Sequence, residues 1–203
     1  MLCKVAVTGA LSCGKSSTCR FFKELGAYVV SADEIVHQLL LSPKTSLGQQ
    51  IVTLLGEDIV VDGRINRSAI AKKVFNDQQL LQSLEKLLHP AVLHEIDRQY
   101  QQVNDRGNFA LFIAEIPLLF EINSEKRFDY TIAVEAPEEL CRQRFTAATG
   151  YGNDEFDKRM SRQLPSATKA QRADFVIQNN GSMEQMHHAV DHLYNKLISS
   201  TNR

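Results

Sequence analysis

The chain has 203 residues, of which 43% are hydrophobic and 23% are charged, and its formal net charge is −1 at pH 7. This composition is ordinary for one globular domain with inserted segments, and the near-neutral charge argues against holding nucleic acid by bulk electrostatics. No apolar run approaches the roughly 18 residues of a membrane span, and no secretory signal pattern is present. The four cysteines lack metal-finger spacing, and free thiols fit a reducing compartment, so we expect a cytoplasmic protein. From the charge and the apolar runs we expect neither a nucleic-acid nor a membrane partner.

Apolar runs and helix-compatible runs alternate along the chain, which predicts an α/β protein. Short β-branched runs bounded by turns are typical of buried parallel strands. We therefore expect a three-layer α/β/α fold around a five-stranded parallel sheet. The predicted strands cover residues 2–8, 27–30, 109–115, 130–135 and 175–177, and the predicted helices cover residues 15–25, 32–41, 46–55, 67–75, 77–88, 91–103, 137–148 and 183–199, before a frayed tail.

Residues 9–16 read Gly-Ala-Leu-Ser-Cys-Gly-Lys-Ser and match the phosphate-loop pattern G-x-x-x-x-G-K-[ST]. The match follows a predicted strand and opens a predicted helix, as this loop requires. In such a loop the backbone N–H groups surround phosphate oxygens, Lys15 reaches the β- and γ-phosphates, and the Ser16 hydroxyl binds Mg²⁺. A chance glycine turn is the weaker interpretation, so we expect a nucleoside triphosphate site. Its predicted residues are Gly9, Ala10, Leu11, Ser12, Cys13, Gly14, Lys15, Ser16 and Ser17.

The segment between the second and third predicted strands is far longer than one crossover needs. Residues 36–103 are predicted to form a helical insertion, in which His89-Pro90 is expected to break or kink a helix because proline lacks an N–H. Two glycines, a short polar helix and Pro165 then indicate a hinged lid over residues 149–165. The predicted nucleotide-binding core consists of residues 1–35, 104–148 and 166–203.

Two carboxylates are predicted at the carboxyl edge of the sheet, where doubly wound folds bind ligands. Asp33 follows the second strand and can accept or orient the proton of an attacking hydroxyl; capping of the following helix is an equally good interpretation. Glu115 ends the third strand and is a candidate for holding Mg²⁺ through water, with Glu121 as a further candidate. A plain surface carboxylate is the alternative for both glutamates.

Basic residues are in excess between Arg142 and Arg172, where seven stand against three acidic residues. The excess suits an anionic ligand, although a solvated helix face gives the same pattern. Arg142 and Arg144 precede the predicted lid, and arginines there can neutralise the charge of phosphoryl transfer. Since residues two apart do not share a helix face, at most one of the two is expected to point into the site.

Taken in chain order, these segments resemble the dephospho-coenzyme A kinase family, whose members are small-molecule kinases with a phosphate loop. The phosphate loop is generic, whereas the ordered set of further motifs is specific and extends the match from Thr8 to Gly181. The matching motifs are D-G-x-x-x-R at 62–67, L-L-H-P at 87–90, P-L-L-F-E at 117–121, A-P-E-E-x-x-x-x-R at 136–144, Q-L-P at 163–165 and A-D-x-V-I-x-N-x-G at 173–181.

This resemblance implies transfer of the γ-phosphoryl group of ATP to the ribose 3′-hydroxyl of dephospho-coenzyme A, with Mg²⁺ as cofactor. It implies that Asp33 faces that hydroxyl and that Arg144 contacts phosphate. The helical insertion would then hold the acceptor, and the lid would close over ATP. The expected catalytic residues are Asp33, Lys15 and Arg144; the acceptor-binding residues are His89, Pro117 and Leu118; the metal ligands are Ser16 and Glu115; and Asn179 joins the nucleotide site.

The phosphate loop departs from the family's usual sequence at three positions. Ala10 and Ser12 replace family glycines, and Ser12 is expected to be strained if its φ is positive. Cys13 lies near a helix N-terminus, where a thiol pKa can be lowered, although a small residue tolerated at a variable position is the favoured interpretation.

Three departures lie outside the loop, one of which is Gln178 in place of an aspartate ahead of Asn179. Ser31 replaces the first aspartate of the family's D-A-D motif, and Ala148 stands where a second lid arginine is usual. Candidate substitutes for that arginine are Arg142, Arg159 and Arg162. Because Lys15, Ser16, Asp33 and Arg144 are all present, we expect an active enzyme.

Two other functions are consistent with the same residues: another nucleoside or nucleotide kinase of this fold, and a nucleotide-binding regulatory protein with low turnover. They differ from the main prediction in the acceptor and in the rate. The expected partners are ATP and dephospho-coenzyme A, and the chain is expected to be a monomer or a weak homo-oligomer.

Overall fold

The computed structural model describes residues 2–75 and 77–201. Strands and helices alternate as predicted, and two short 3₁₀ turns lie at Glu57–Ile59 and Glu125–Arg127. In chain order the elements are β1 (Cys3–Gly9), α1 (Lys15–Glu24), β2 (Tyr28–Ser31), α2 (Ala32–Leu39), α3 (Ser46–Leu55), β3 (Val60–Val61), β4 (Arg64–Ile65), α4 (Arg67–Val74), α5 (Gln78–Arg106), β5 (Leu111–Glu115), β6 (Tyr130–Glu135), α6 (Glu138–Thr149), α7 (Asn153–Met160), α8 (Ser166–Arg172), β7 (Phe175–Gln178) and α9 (Met183–Thr201).

All five predicted strands are present and form one parallel sheet in the order β2-β5-β1-β6-β7. The register places Glu115 opposite both Val7 of β1 and Ser31 of β2, and it places Gly9 opposite Val134 of β6. Because the strands are parallel, their carboxyl ends meet at one edge. This edge receives the phosphate loop after β1 and the carboxylate at the end of β5.

The sheet is buried on both faces, as its near-continuous apolar strands require. Val5 and Val7 point to one face, where they join a core that includes Phe22 of α1 and Val190 of α9. Alternate side chains point to the other face, where the Phe112 ring lies 5.5 Å from the ring of Tyr100 at the end of α5. Burial of both faces confirms the predicted α/β/α layering.

The chain divides into two compact units, residues 1–31 with 100–203 and residues 32–99. The second unit contains α2, α3, α4, most of α5 and a small antiparallel hairpin of β3 and β4. Its own core includes Ile51, Ile59, Ile70 and Leu84. The prediction of an almost wholly helical insertion missed this hairpin.

Helix α5 runs without interruption from Gln78 to Arg106, with Pro90 inside it. The predicted helix break at His89-Pro90 is therefore wrong. Proline removes the N–H that would bond the carbonyl of Lys86, a cost of about 3 kcal/mol in a helix interior. A helix of 29 residues has enough other backbone bonds and packed side chains to continue across one defect.

For the other elements, the predicted first and last residues agree with those in the structure to within a few residues, with two exceptions. Helix α8 was not predicted, and α9 continues through Thr201 where a frayed tail was expected. The last two residues of that expected tail, 202 and 203, lie outside the described residues.

Two glycines allow the loop between β1 and α1 to fold tightly. Gly14 precedes α1 with φ of 105°, and a Cβ there would lie 2.2 Å from Asn179 Nδ2. Gly9 has φ of 149°, and a Cβ there would lie 2.4 Å from the Val134 carbonyl oxygen and 2.7 Å from Cys13 Sγ. A side chain at either position would have to displace backbone or a buried amide.

Replacing Pro90 by Ala tests whether α5 tolerates the proline or depends on it. Pro90→Ala restores one backbone donor but increases the freedom of the unfolded chain, so we expect a gain of about 2 kcal/mol in the free energy of unfolding. Pro43→Ala is the control: Pro43 lies in a loop, and its replacement should lower stability by about 0.4–1 kcal/mol. Urea unfolding measures both, and a loss of stability in Pro90→Ala would show that the helix requires its proline.

Replacing Gly14 by Ala tests the close contact with Asn179. The matched control is Gly107→Ala, because Gly107 also has positive φ, of 66°, but nothing lies within 4 Å of an added Cβ. Both variants should lose about 1–2 kcal/mol from backbone strain. Gly14→Ala should lose further stability and weaken ATP binding at least about tenfold, as measured by thermal unfolding and calorimetry; equal effects of the two substitutions would contradict the contact.

Candidate active site

The Lys15 side chain lies over the phosphate loop. Its ammonium donates hydrogen bonds to the carbonyl oxygens of Gly9, at 3.2 Å, and Ala10, at 2.7 Å. Ser12 adopts φ of 56°, so the predicted strain at this residue is present, at a cost of about 1–3 kcal/mol. The loop therefore presents a cation and a constrained backbone at the N-terminus of α1, which is a suitable environment for phosphate.

The two predicted metal ligands are in direct contact. The Ser16 hydroxyl donates to Glu115 Oε1 at 2.9 Å, and Glu115 itself is only 9% exposed. A hydroxyl and a carboxylate are hard oxygen donors of the kind that Mg²⁺ prefers, and Mg²⁺ commonly uses one or two protein ligands together with phosphate and water. Within residues 2–75 and 77–201, no group of three or more His, Cys, Asp and Glu side chains is placed to hold a metal, so this pair is the candidate site.

Asn179 connects the end of β7 to the phosphate loop. Its backbone N–H donates to the Glu135 carbonyl, and its side-chain Nδ2 donates to the Cys13 carbonyl at 2.7 Å. Arg144 Nη2 in turn donates to Asn179 Oδ1 at 3.4 Å. The Arg144 Nη1 atom is buried and has no hydrogen-bond partner in the part of the chain that the structure describes. Arg144 thus has an unused donor beside the loop.

Arg142 points elsewhere, in line with the expectation that at most one of these two arginines faces the site. Its Nη2 contacts carboxylate oxygens of Glu138 and Asp157, each at 2.8 Å, so it joins α6 to α7. Arg159 is paired with Glu155 at 2.7 Å, and its guanidinium lies beside the ring of Tyr151. Of the three candidate substitutes for the usual lid arginine, Arg142 and Arg159 are held in ion pairs, and Arg162 is exposed.

The thiol of Cys13 is buried, and its burial raises its pKa above the ordinary value. The nearby Lys15 opposes this rise without reversing it. Burial also raises the pKa of Cys141 to about 11. The pKa of Cys13 is thus raised rather than lowered, and the interpretation as a small packed residue agrees with its position in the core.

Lys169 is a charged residue of the site region that sequence reasoning did not single out. It lies on α8, is 0% exposed, and forms an ion pair with Glu121 at 2.8 Å. The pKa of Lys169 is lowered, chiefly by burial and in part by the charge of Lys15, although the hydrogen bond to Glu121 opposes this change. Glu121 is engaged by this lysine and by the Leu164 N–H at 2.9 Å. A buried lysine carries no signal in the sequence, because lysines are usually exposed.

The predicted basic excess does not form one ligand-binding patch. At least four of the seven basic residues between 142 and 172 are in ion pairs, and Arg162 is exposed. Their acidic partners include Glu138, Glu121 and Glu125, which lie outside the counted stretch or at its edge. The local charge is therefore largely neutralised within the fold.

The remaining predicted site residues divide between the two units. In the first unit, Pro117 and Leu118 follow β5 and are partly exposed, and the Pro117 carbonyl accepts a bond from the Thr8 hydroxyl. In the second unit, Asp33 is exposed and is the second residue of α2, one position past its first residue Ala32. His89 lies half-buried on α5.

Comparisons with known proteins show which family the chain resembles. The family model described as dephospho-CoA kinase matches residues 3–185. A dephospho-CoA kinase of Protochlamydia amoebophila is 50% identical over 195 residues, covering 96% of this chain and 96% of that protein. The described residues also contain no helix with the length and apolar character needed to cross a membrane.

Two solved structures are similar over nearly the whole chain. A Thermus thermophilus protein has a TM-score of 0.78 at 30% identity, covering 96% of this chain and 97% of its own. A dephospho-CoA kinase from Campylobacter jejuni has a TM-score of 0.73 at 26% identity, covering 98% of this chain and 99% of its own. With the family model matching most of the sequence, the chain belongs to the dephospho-CoA kinase family.

Proposed function

We propose that this chain transfers the γ-phosphoryl group of ATP to the ribose 3′-hydroxyl of dephospho-CoA, which yields CoA and ADP. The family match over residues 3–185 carries this proposal, since the chain is thereby an ATP-dependent kinase with a hydroxyl acceptor. The constrained loop with Lys15 over it and the adjacent Ser16–Glu115 pair are the features that a phosphoryl-transfer site needs.

The nucleotide is assigned to the phosphate loop. When phosphate enters, the Lys15 ammonium exchanges its bonds to the loop carbonyls of Gly9 and Ala10 for phosphate oxygens, at little electrostatic cost. Arg144 Nη1 supplies a further donor, since it is buried and unpaired among the described residues. These cations stabilise the negative charge that spreads over the equatorial oxygens during transfer.

Ser16 and Glu115 fit Mg²⁺ as hard oxygen donors and are proposed to hold it, Glu115 through water. The ion, when bound, neutralises charge on the β- and γ-phosphates. The protein's own contribution is to fix these two oxygens together: β5 pairs with β1 so that Glu115 lies one strand from the loop, and α1 begins with Lys15 and Ser16.

Asp33 is proposed to orient the attacking hydroxyl and accept its proton. The proposal depends on chain connectivity: Asp33 is two residues beyond Ser31, which pairs with Glu115 at the carboxyl edge of the sheet. An N-cap position is taken by the residue before the helix, and α2 already begins at Ala32. The alternative role as a cap is therefore less well supported than the catalytic one.

The second unit, with His89, is proposed to bind the acceptor. In the first unit, Pro117 and Leu118 are proposed acceptor-binding residues, and residues 149–165 are proposed to be the lid that closes over ATP. One chain supplies all these residues, which supports function as a monomer or weak homo-oligomer. The four cysteines are buried and lie outside disulfide bonds, as expected for a cytoplasmic protein.

Asp33→Asn tests the catalytic assignment together with the activity. Purified protein with ATP, Mg²⁺ and dephospho-CoA should form CoA, detected by mass, whereas nucleoside monophosphates should remain unmodified. Asp33→Asn should lower kcat at least about 100-fold, since the amide cannot accept the proton, with ATP affinity changed less than about twofold.

Glu34→Gln is the matched control for Asp33→Asn, because Glu34 is also exposed and also lies in the first turn of α2. It loses the same favourable interaction with the helix dipole and should keep kcat within about twofold. Equal kcat values in the two variants would return Asp33 to a helix-stabilising role, and absence of CoA from the wild-type reaction would reject the proposed activity.

Glu115→Gln tests the metal site. The amide retains the size of the side chain but loses its charge, so the Mg²⁺ concentration for half-maximal activity should rise at least about tenfold. Glu135→Gln is the control, since Glu135 ends β6, on the other side of β1 from Glu115, and accepts a bond from Gln178. An unchanged Mg²⁺ requirement in Glu115→Gln would remove Glu115 from the metal site.

A further inference from the structure

The buried ammonium of Lys169 has three acceptors, one for each of its protons. It donates to the Pro117 carbonyl at 2.7 Å, to Glu121 Oε1 at 2.8 Å and to Gln163 Oε1 at 3.4 Å. An isolated buried ammonium is strongly unfavourable, and even a paired one rarely adds net stability. The role of Lys169 is therefore better judged from the segments that it joins than from its contribution to stability.

On one side, Lys169 contacts the exit of β5 directly and is connected to the exit of β1 through a shared acceptor. The Pro117 carbonyl that it binds also accepts from the Thr8 hydroxyl at 3.1 Å, and the preceding Ile116 N–H donates to the Val7 carbonyl at 2.8 Å. Thr8 lies directly before the phosphate loop, and Pro117 follows Glu115 by two residues. Lys169 thus helps to hold the backbone that follows Glu115 against Thr8, the residue directly before the phosphate loop.

On the other side, the same ion pair holds the far end of residues 149–165. Glu121 Oε1 accepts from the Leu164 N–H at 2.9 Å, and Gln163 contacts Lys169 directly. The second oxygen, Glu121 Oε2, is buried and has no hydrogen-bond partner among the described residues. The last residues of the segment are therefore attached to the same point as the two strand exits.

We propose that Lys169 and Glu121 are positioning residues that hold the distal hinge of the lid on the exits of β1 and β5, so that the closed lid excludes water from the γ-phosphate. The inference rests on the proposed function of residues 149–165 as a lid over ATP. Neither residue is assigned contact with substrate. Their effect is transmitted through the Pro117 carbonyl and the Leu164 amide.

The expected consequence of a loose hinge is a change in which nucleophile attacks. In transfer, the ribose hydroxyl forms the new bond to the γ-phosphorus while the bond to the β-phosphate oxygen breaks and ADP leaves with its electron pair. If water attacks instead, the same bond breaks and the products are ADP and inorganic phosphate. A lid that closes poorly admits water and raises the share of this second reaction.

The test is the ratio of phosphate released to CoA formed in one reaction with ATP, Mg²⁺ and dephospho-CoA. Lys169→Met removes the cation, whereas Glu121→Gln retains an acceptor for both Leu164 and Lys169 but loses the charge. We expect the ratio to rise at least about tenfold in Lys169→Met and at least about threefold in Glu121→Gln. A reduced fraction of folded protein lowers both products equally and leaves the ratio unchanged, so the ratio separates positioning from stability.

Arg172→Met is the matched control. Arg172 lies one turn further along α8, forms an ion pair with Glu125 and donates to the Phe120 carbonyl at 3.4 Å. It therefore joins the same helix to the same segment but reaches neither Pro117 nor the lid. It should lower stability while the product ratio stays within about twofold of the wild-type value.

The proposal is overturned if the ratio in both hinge variants stays within about twofold of wild type, or if Arg172→Met raises it equally. If Lys169→Met does not fold, Glu121→Gln decides alone. Hydrogen exchange of the Leu164 amide gives a readout without turnover: Glu121→Gln should speed it at least about tenfold and Arg172→Met should not. A wild type that forms no CoA would reject the proposed function, while this exchange measurement would still decide whether the hinge exists.

Discussion

The central strand β1 pairs in parallel with β5 on one side and β6 on the other, and this pairing determines where the functional groups of the first unit lie. Parallel strands end at one edge, so the phosphate loop, Glu115 and the Asn179 that follows β7 come together without any of them being near in sequence. Each of these groups lies at, or a few residues beyond, the end of a strand, so no long loop is needed to bring them into contact. A one-residue slip between β1 and β5 would turn Glu115 away from Ser16.

The phosphate loop shows how close packing and strain are combined at this edge. Gly9 and Gly14 are positions where no side chain fits, and Ser12 accepts a backbone conformation that usually favours glycine. The Asn179 amide and the Cys13 thiol occupy the space that the glycines leave. The loop is therefore held in shape from outside by β6 and β7, which is how strain of a few kcal/mol persists at a functional site.

Sequence patterns predicted the sheet well because its strands are apolar, short and bounded by turns, and β6 was predicted without error at residues 130–135. The phosphate loop and Glu115 could be placed at one edge from the parallel topology alone. The same local rules failed at Pro90, because the packing and backbone bonds of a long helix outweigh one missing donor. The β3–β4 hairpin was missed although its Asp62-Gly63 turn is a recognised hairpin signal.

Other features of the site had no local signal. The engagement of Arg142 with Asp157, and of Lys169 with Glu121, depends on contacts between segments distant in sequence, and arginine or lysine at such positions is most often exposed. Composition showed an excess of positive charge but not its partners. Family resemblance supplied roles for Asp33, Arg144 and His89, which remain predictions for this chain.

Residues 149–165, proposed to be the lid, are attached to the rest of the first unit by contacts of different kinds. The nearer part is joined to α6 by the Arg142–Asp157 ion pair, in which Asp157 is 59% exposed, and by the fully buried Phe156, whose ring lies 5.6 Å from the ring of Phe145. Interactions between such exposed charges are screened over about 8 Å at physiological ionic strength. The far end depends on a lysine with no exposed surface, where dissolved ions have little access. Added salt should therefore weaken the Arg142–Asp157 pair while the Phe156 contact and the Lys169 ion pair persist, so that one contact of residues 149–165 loosens without detachment of the segment.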